Sequence, residues 1–542
     1  MAGLLDLPTE LLRSIAEYVS DTEHIAVFQL ALVNKRLKSI VSPSMLVRHW
    51  PAQQHPEKRP SVQRLVLHLL RHSELRTHIK WICFAHEDTL ERYFPNDIDV
   101  KSEELEALYK EQRENWPTLM ERADHQGEQM PIDFVTLVLL WATDIIDLEI
   151  HIPHFDPDTD YEHTLDAGLD PVESPEAGSH FLPLVLASHT AKRLKSMSPG
   201  QLSAGLPLAE LRHVTTTWRP QSEGNWAAPF FYLPKMKTFF GHGVRLYVDG
   251  VEEEVIDAQT PSLEHLAEFP VGTSSIEEIS LDRVDIPPEG LGLLARACRR
   301  LKRLIVTDDC MMNLYDVKLN YLAQVILHHK ESLEDFTFHW DWYDDVELVE
   351  DFDDGRVALG DCFQELVKLK SLNINVGFYR TSSRDYKHLF ISRLPPLLEN
   401  LTGDLRLIFE EGPNDQMTLD VCKLPSSLKS LTLVGLGSWA NFPEYRERVA
   451  HYMSSFHAMM RSCGPEGKLP ELRTVYLPVV DHHTIGGIEL LKELAEKNGV
   501  GLQLQPGFKA TTLHYTFEDM ELMWMMTKIM AVEWMDMDPL WM

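Results

Sequence analysis

Residues 276–306 read IEEISLDRVDIPPEGLGLLARACRRLKRLIV. Two runs in this stretch, Ile276–Leu281 and Leu301–Val306, share one pattern: an apolar residue, two polar residues, an apolar residue, one free position and a last apolar residue. Alternation of that kind predicts a short strand with one buried face. Between the runs, Gly290–Ala297 carries its apolar residues at helical spacing. One strand and one helix cannot bury their apolar faces alone, so this unit must stack on others like it.

Copies of the pattern recur on both sides. Leu333–Phe338, Leu369–Ile374, Leu428–Leu433 and Leu472–Leu477 follow it towards the C-terminus, with a looser copy over Leu401–Ile408. Towards the N-terminus lie Leu263–Leu266, Met236–Phe239, Leu211–Val214 and Ile145–Ile150. Most starts are about 25 to 45 residues apart, the range of solenoid repeats. Helical stretches such as Tyr321–His328 precede many of the strands. The predicted fold class is α/β, with short parallel strands alternating with helices in an irregular leucine-rich-repeat-like solenoid over residues 61–510. Ser61–Arg71 reads as its first helix, and the alternation around Ile79, Trp81 and Cys83 as a short buried strand.

Three segments interrupt the cadence. Residues 153–180 and 341–354 are acidic insertions, the second with eight Asp and Glu in fourteen positions beside Trp340, Trp342 and Tyr343. Residues 511–542 are rich in Met and Trp and read as a C-terminal cap or tail. Residues 51–60, PAQQHPEKRP, have three prolines and read as a linker.

The chain has 542 residues, enough to bury a large core without staples. Its formal net charge is −32, from 51 Lys and Arg against 83 Asp and Glu. A field of that sign repels phosphate, so nucleic acid and anionic membrane are excluded as partners. Residues 1–80 differ, with 11 Lys and Arg against 7 Asp and Glu. The six cysteines show no CxxC spacing, which points to reduced thiols in the cytoplasm or nucleus. No stretch is long and apolar enough to span a bilayer, and Asp6, Pro8 and Glu10 break the N-terminal apolar run that a signal peptide would need.

Residues 4–48 read as three short helices. Leu7, Leu11, Ile15 and Val19 recur every four residues as one apolar stripe, with Pro8 in the first turn. Ser20 and Glu23 fit a capping box for a second helix near Asp21, and Asn34 a cap for a third from Lys35 to about Val41.

The stretch LPTELLRSIAEYVSDTEHIAVFQLALVNKRLKSIV resembles an F-box. Leu7, Pro8, Glu10, Leu11, Ile15 and Val19 match the first part of the family pattern. Leu30, Leu32, Val33, Asn34, Lys35, Arg36 and Leu37 match the second, Leu37 standing where many members carry tryptophan. With the repeats behind it, the chain resembles F-box proteins of filamentous fungi. The resemblance implies a substrate receptor of an SCF (Skp–cullin–F-box) ubiquitin ligase, a non-enzymatic subunit without a cofactor. Residues 1–50 would dock the Skp-family adaptor, and through it the cullin scaffold. The matching residues, Asn34 excepted, would form the docking set. The solenoid would hold an unknown protein substrate, with Lys302, Arg303, Glu334, Asp335, Lys370 and Arg473 as candidate contacts on its strands.

Two other readings compete with it. One is a leucine-rich-repeat binding scaffold acting outside a ligase. The other is a metal-dependent hydrolase using the Asp481 region, where Asp481, His482 and His483 have a metal-like order, as do His151, His154 and Asp156 elsewhere. Neither triplet has zinc-type cysteine partners or an HExxH helix. No P-loop, GxGxxG or GxSxG stretch is present.

Overall fold

The computed structural model describes residues 4, 7–22, 24–41, 45, 47–50, 61–84, 94, 98, 100–115, 133–152, 182–197, 205–218, 227–243, 269–284, 286, 288–307, 319–342, 359–378, 391, 393–404, 410–412, 416–419, 421–434, 453–479 and 487–506. The expectations for residues 51–60, 153–180, 263–266, 343–354 and 511–542, and for His154, Asp156, Asp481, His482 and His483, lie outside the described residues. The chain forms two compact units, Met1–Ala358 with Phe378–Arg380, and Leu359–Gly377 with Thr381–Met542.

The first unit begins with helices α1 (Thr9–Thr22), α2 (His24–Val33) and α3 (Lys35–Ile40). Asn34 caps α3 as its sequence suggests: its side-chain oxygen accepts a hydrogen bond from the Arg36 amide at 2.7 Å. The expected helix start near Asp21 is corrected, because α1 continues through Thr22. Val19 packs on the core of this bundle, and the added turn carries the chain past it.

Eight parallel strands follow in chain order: β1 (His49–Trp50), β2 (Trp81–Phe84), β3 (Asp147–Ile152), β4 (His213–Trp218), β5 (Thr238–His242), β6 (Glu278–Asp282), β7 (Arg303–Thr307) and β8 (Asp335–Trp342). Helices α4 (Val62–Arg71), α5 (Ser102–Asn115), α6 (Phe134–Trp141), α7 (Leu182–Ser196), α8 (Ala228–Phe231), α9 (Pro288–Ala297) and α10 (Leu319–His328) alternate with them. Strands that neighbour in sequence neighbour in the sheet, an arrangement consistent with a solenoid.

The register explains the repeated pattern. Ile82, Leu148, Val214, Phe239, Ile279, Leu304 and Phe336 are Cα partners from strand to strand and form a continuous buried ladder. In β2 the inward residues are therefore Ile82 and Phe84, with Trp81 on the other face. The first apolar residue of each pattern, such as Ile276 or Leu301, is buried just before its strand. The residue after it supplies a backbone rung: its carbonyl accepts two amides of the next unit, as Glu277 does from Lys302 (2.8 Å) and Arg303 (3.1 Å). The rungs begin at the Arg48 carbonyl, which accepts from Lys80 and Trp81, so the N-terminal helices run directly into the sheet.

Helices α9 and α10 pack side by side. Gly292 lets them approach, since a Cβ there would lie 3.2 Å from Val325 Cγ2. The turn after α10 ties back to the previous unit. His329 Nδ1 accepts from the Leu301 amide (3.4 Å), and the Ser332 hydroxyl donates to the Leu301 carbonyl (2.8 Å). Both groups of Leu301 are buried, and these bonds satisfy them.

The second unit has parallel strands β9 (Ser371–Phe378), β10 (Asn400–Asp404), β13 (Ser430–Val434), β14 (Thr474–Val479) and β15 (Gly501–Pro506), with an antiparallel pair β11 (Glu410–Gly412) and β12 (Gln416–Thr418) between β10 and β13. Its helices are α11 (Leu359–Cys362), α12 (453–461) and α13 (Ile488–Lys497). The loop after α12 folds back so that the Leu469 amide donates to Ser462 O at 3.0 Å. A Cβ on Gly467 would lie 2.1 Å from that same oxygen, a backbone atom with little freedom to yield. Gly467→Ala is expected to lower stability by about 1–3 kcal/mol. Urea unfolding followed by tryptophan fluorescence checks this, and an unchanged midpoint would show that the loop relaxes freely.

Cys83, Cys298, Cys362 and Cys463 are buried thiols, not disulfides. Burial pushes the thiols of Cys298, Cys362 and Cys463 upward, the last to about 11, so they stay protonated and inert.

Candidate functional site

The N-terminal bundle has a small core of Leu12, Ala16, Leu37, Ile40, Val41 and Met45. Leu12 and Ala16, rather than Leu11 and Ile15, face inward on α1. The reason is geometric. Each four-residue step overshoots a helical turn of 3.6 residues by about 40°, so Leu11, Ile15 and Val19 drift around the helix instead of forming one stripe, and Leu7 lies before its first turn. Leu7, Val19 and Leu30 lie against the core and are partly buried. Ile15 is half-buried, and Leu11 points outward at 52% exposure.

At the end of α2, Leu32 is 86% exposed and Val33 is 72% exposed. Arg36 brings this end of α2 to the start of α1: its guanidinium donates to the Leu7 carbonyl at 2.9 Å and to Thr9 Oγ1 at 3.5 Å. Leu11, Leu32 and Val33 therefore share one end of the bundle, together with exposed Pro8 and Glu10. Tyr18, 69% exposed and two turns beyond Leu11, continues the same side of α1. Exposed apolar residues gathered on so small a bundle are the signature of a surface that a partner covers.

The sequence-predicted docking set thus divides. Leu11, Leu32, Val33, Pro8, Glu10 and Lys35 are exposed. Leu37 is corrected to a core residue at 4% exposure, because α3 closes the bundle with its Leu37 and Ile40 side. Arg36 acts within the bundle as a clamp. Sequence reasoning missed Leu4 and Tyr18, both exposed. The seven-residue step from Leu11 to Tyr18 was the available signal.

Three of the candidate substrate contacts, Lys302, Arg303 and Asp335, are already held in ion pairs across the strands. Lys302 Nζ lies 2.6 Å from Glu277 Oε2, and Arg303 bridges Glu278 (3.0 Å) and Asp335 (3.1 Å) on the neighbouring strands. These pairs depress the Glu277 carboxyl and raise Arg303 above its ordinary value. Glu334 carries a backbone rung, its amide donating to Lys302 O. In the second unit the Lys370 and Arg473 carbonyls serve as rungs in the same way.

Elsewhere on the first unit's sheet, His242 Nδ1 and Thr307 Oγ1 both contact the Asp282 carboxylate, at 2.8 and 2.7 Å. Burial acts to raise this carboxyl, but the two hydrogen bonds outweigh it and hold it below its ordinary value. The hydroxyl bonds the acid rather than the imidazole, so this is no nucleophile–base relay. Among the described residues no group of three or more His, Cys, Asp and Glu is placed to hold a metal ion. No described helix is long and apolar enough to cross a membrane.

The F-box domain family model matches residues 4–49, which are the three-helix bundle and the first residue of β1. The chain carries an F-box domain, and its clamped, outward-facing apolar surface lies inside the matched segment. F-box domains bind Skp-type adaptors in SCF complexes, and proteins that carry them are typically non-catalytic subunits of those ligases. A comparison with curated proteins found no match.

Proposed function

We propose that this chain is a substrate receptor of an SCF-type ubiquitin ligase. The observation that carries the reading is the exposed apolar end of the F-box bundle, where Leu11, Leu32 and Val33 stand outside a core already filled by Leu12, Ala16 and Leu37. In this reading Leu4, Pro8, Leu11, Tyr18, Leu32 and Val33 meet the Skp-family adaptor, which joins the chain to the cullin scaffold. The stacked strand–helix units form a leucine-rich-repeat-like solenoid that holds a protein substrate. Binding raises the effective concentration of the substrate near the charged E2, so the chain itself needs no catalytic group. The more basic first 80 residues favour encounter with an acidic adaptor.

Co-expression with a Skp-family adaptor followed by size-exclusion chromatography tests it. Wild type should co-elute with the adaptor, and Leu11→Ser/Leu32→Ser should weaken the complex by about 100-fold, as loss of central apolar anchors does. The double variant should melt like wild type, because both side chains are exposed. Leu12→Ser, in the core, should instead unfold the bundle. Wild type eluting alone would remove the ligase assignment.

A further inference from the structure

The second unit ends on β15, which pairs with β14 from Thr474 with Gly501 to Val479 with Pro506. Among the described residues no strand lies on its other side. The inward row of this unit runs through Leu372, Leu401, Leu431, Val475 and Leu502, which are Cα partners from strand to strand. The first four are at most 1% exposed, whereas Leu502 is half-buried. Two residues further along the strands, Leu477 is 3% exposed and its partner Leu504 is half-buried. Helix α13 shows the same change. Its Ile488, Leu491 and Ala495 are buried, but Leu490 is 43% exposed and Leu494, one turn on, is half-buried. Inner layers of the stack are covered on both sides, and this last one leaves four apolar side chains partly bare. A solenoid needs such an end covered by an atypical terminal unit with a polar outside.

The chain itself supplies a cover of the right size. It leaves β15 at Pro506, and residues 507–542 match one repeat in length, given a spacing of about 25 to 45 residues. Eight of the chain's 20 Met and three of its 12 Trp fall in this segment. Leu522, Met525, Met526 and Ile529 recur at the spacing of one side of a helix. Six Asp and Glu between positions 518 and 538 supply charge for a solvated outer side. Met is unbranched and fits an irregular surface better than a branched side chain does. Attachment at Pro506 also makes this segment far more concentrated at β15 than a second copy of the chain would be.

We infer that residues 507–542 cap the second unit, packing an apolar side built around Leu522, Met525, Met526 and Ile529 onto Leu502 and Leu504 of β15 and Leu490 and Leu494 of α13. The inference stands whether or not the chain binds a Skp-family adaptor.

Hydrogen peroxide oxidation of the full chain, followed residue by residue by mass spectrometry, tests it. Met525 and Met526 should react at least about tenfold more slowly in the full chain than in a synthetic peptide of residues 507–542. Equal rates would overturn the inference. Leu522→Asp/Ile529→Asp, within the segment, should bring both methionines to the peptide rate. It should also speed amide exchange in β15 by about tenfold while β9 and β10 change little. Unchanged exchange in β15 would show that the segment does not cover it. Leu502→Glu/Leu504→Glu should release the same two methionines from the other side of the contact. Met459 and Met460, fully buried on α12, are the folding control and should stay protected in both variants. If they react in the β15 variant, that unit has unfolded, and the segment variant with its β15 exchange decides alone. Protection of Met525 and Met526 that survives in a folded β15 variant would place the segment elsewhere and overturn the inference. So would protection that grows with protein concentration, which would make a second copy the cover.

Discussion

Phe336→Ala is expected to destabilise the first unit by about 3–5 kcal/mol, the range for emptying a fully buried phenyl site. Phe336 is buried on β8, where it continues the ladder from Leu304, and its ring stacks near that of Phe338 at 6.3 Å between centroids. In a stack of units each layer contacts its neighbours, so the loss is local before it is global. Hydrogen exchange should show β7 and β8 losing protection first. The F-box bundle has its own core of Leu12, Ala16, Leu37 and Ile40 and should keep its protection and its adaptor binding. Loss of adaptor binding in step with β8 would show that the bundle and the sheet fold as one cooperative unit.

The second large effect is acid lability centred on His329. Its ring is buried, its Nε2–H donates to Ala295 O at 2.8 Å, and its Nδ1 accepts from the Leu301 amide. Both nitrogens are engaged in the neutral tautomer, and a proton on Nδ1 would face a backbone N–H. Burial is the main cause that lowers its pKa from 6.5 to about 4; the bond to Ala295 opposes this, and nearby His328 adds to the lowering. Because the folded value lies below the unfolded one, the unfolded chain takes up the proton first as pH falls. The stability held by neutral His329 is therefore complete above about pH 6.5 and is lost progressively down to about pH 4. The full loss is about 3 kcal/mol, with about 2 kcal/mol of it gone by pH 5. Urea unfolding at pH 7 and pH 5 measures it. His329→Gln should be less stable than wild type at pH 7 but should lose less on acidification. An identical pH dependence in the two proteins would assign the acid sensitivity to other groups.

The strands were legible because their signal is local. In Ile276–Leu281 and Leu301–Val306 the alternation names Ile279, Leu281, Leu304 and Val306 as inward, and all four are buried. The caps were legible for the same reason: Asn34 announces α3 through its own side chain. The direction of residues on α1 was not, since a four-residue period and a true helical turn diverge and only packing against α3 selects Leu12 and Ala16 over Leu11. The hairpin of β11 and β12 also left no mark in the repeat pattern.

The candidate sites divide along the same line. Lys302 and Arg303 read as available cations in the sequence, yet strands paired across about 25 to 32 residues supply Glu277, Glu278 and Asp335 to them.

By itself the amino-acid sequence determined that a helical F-box-like start precedes stacked β–α units, because periodicity, capping and motif spacing act over a few residues. Only the tertiary structure decided which apolar residues stand outside the bundle and which charges pair with one another. Burial and ion pairing belong to contacts between segments distant in the chain, and these exist only once the strands have settled into register.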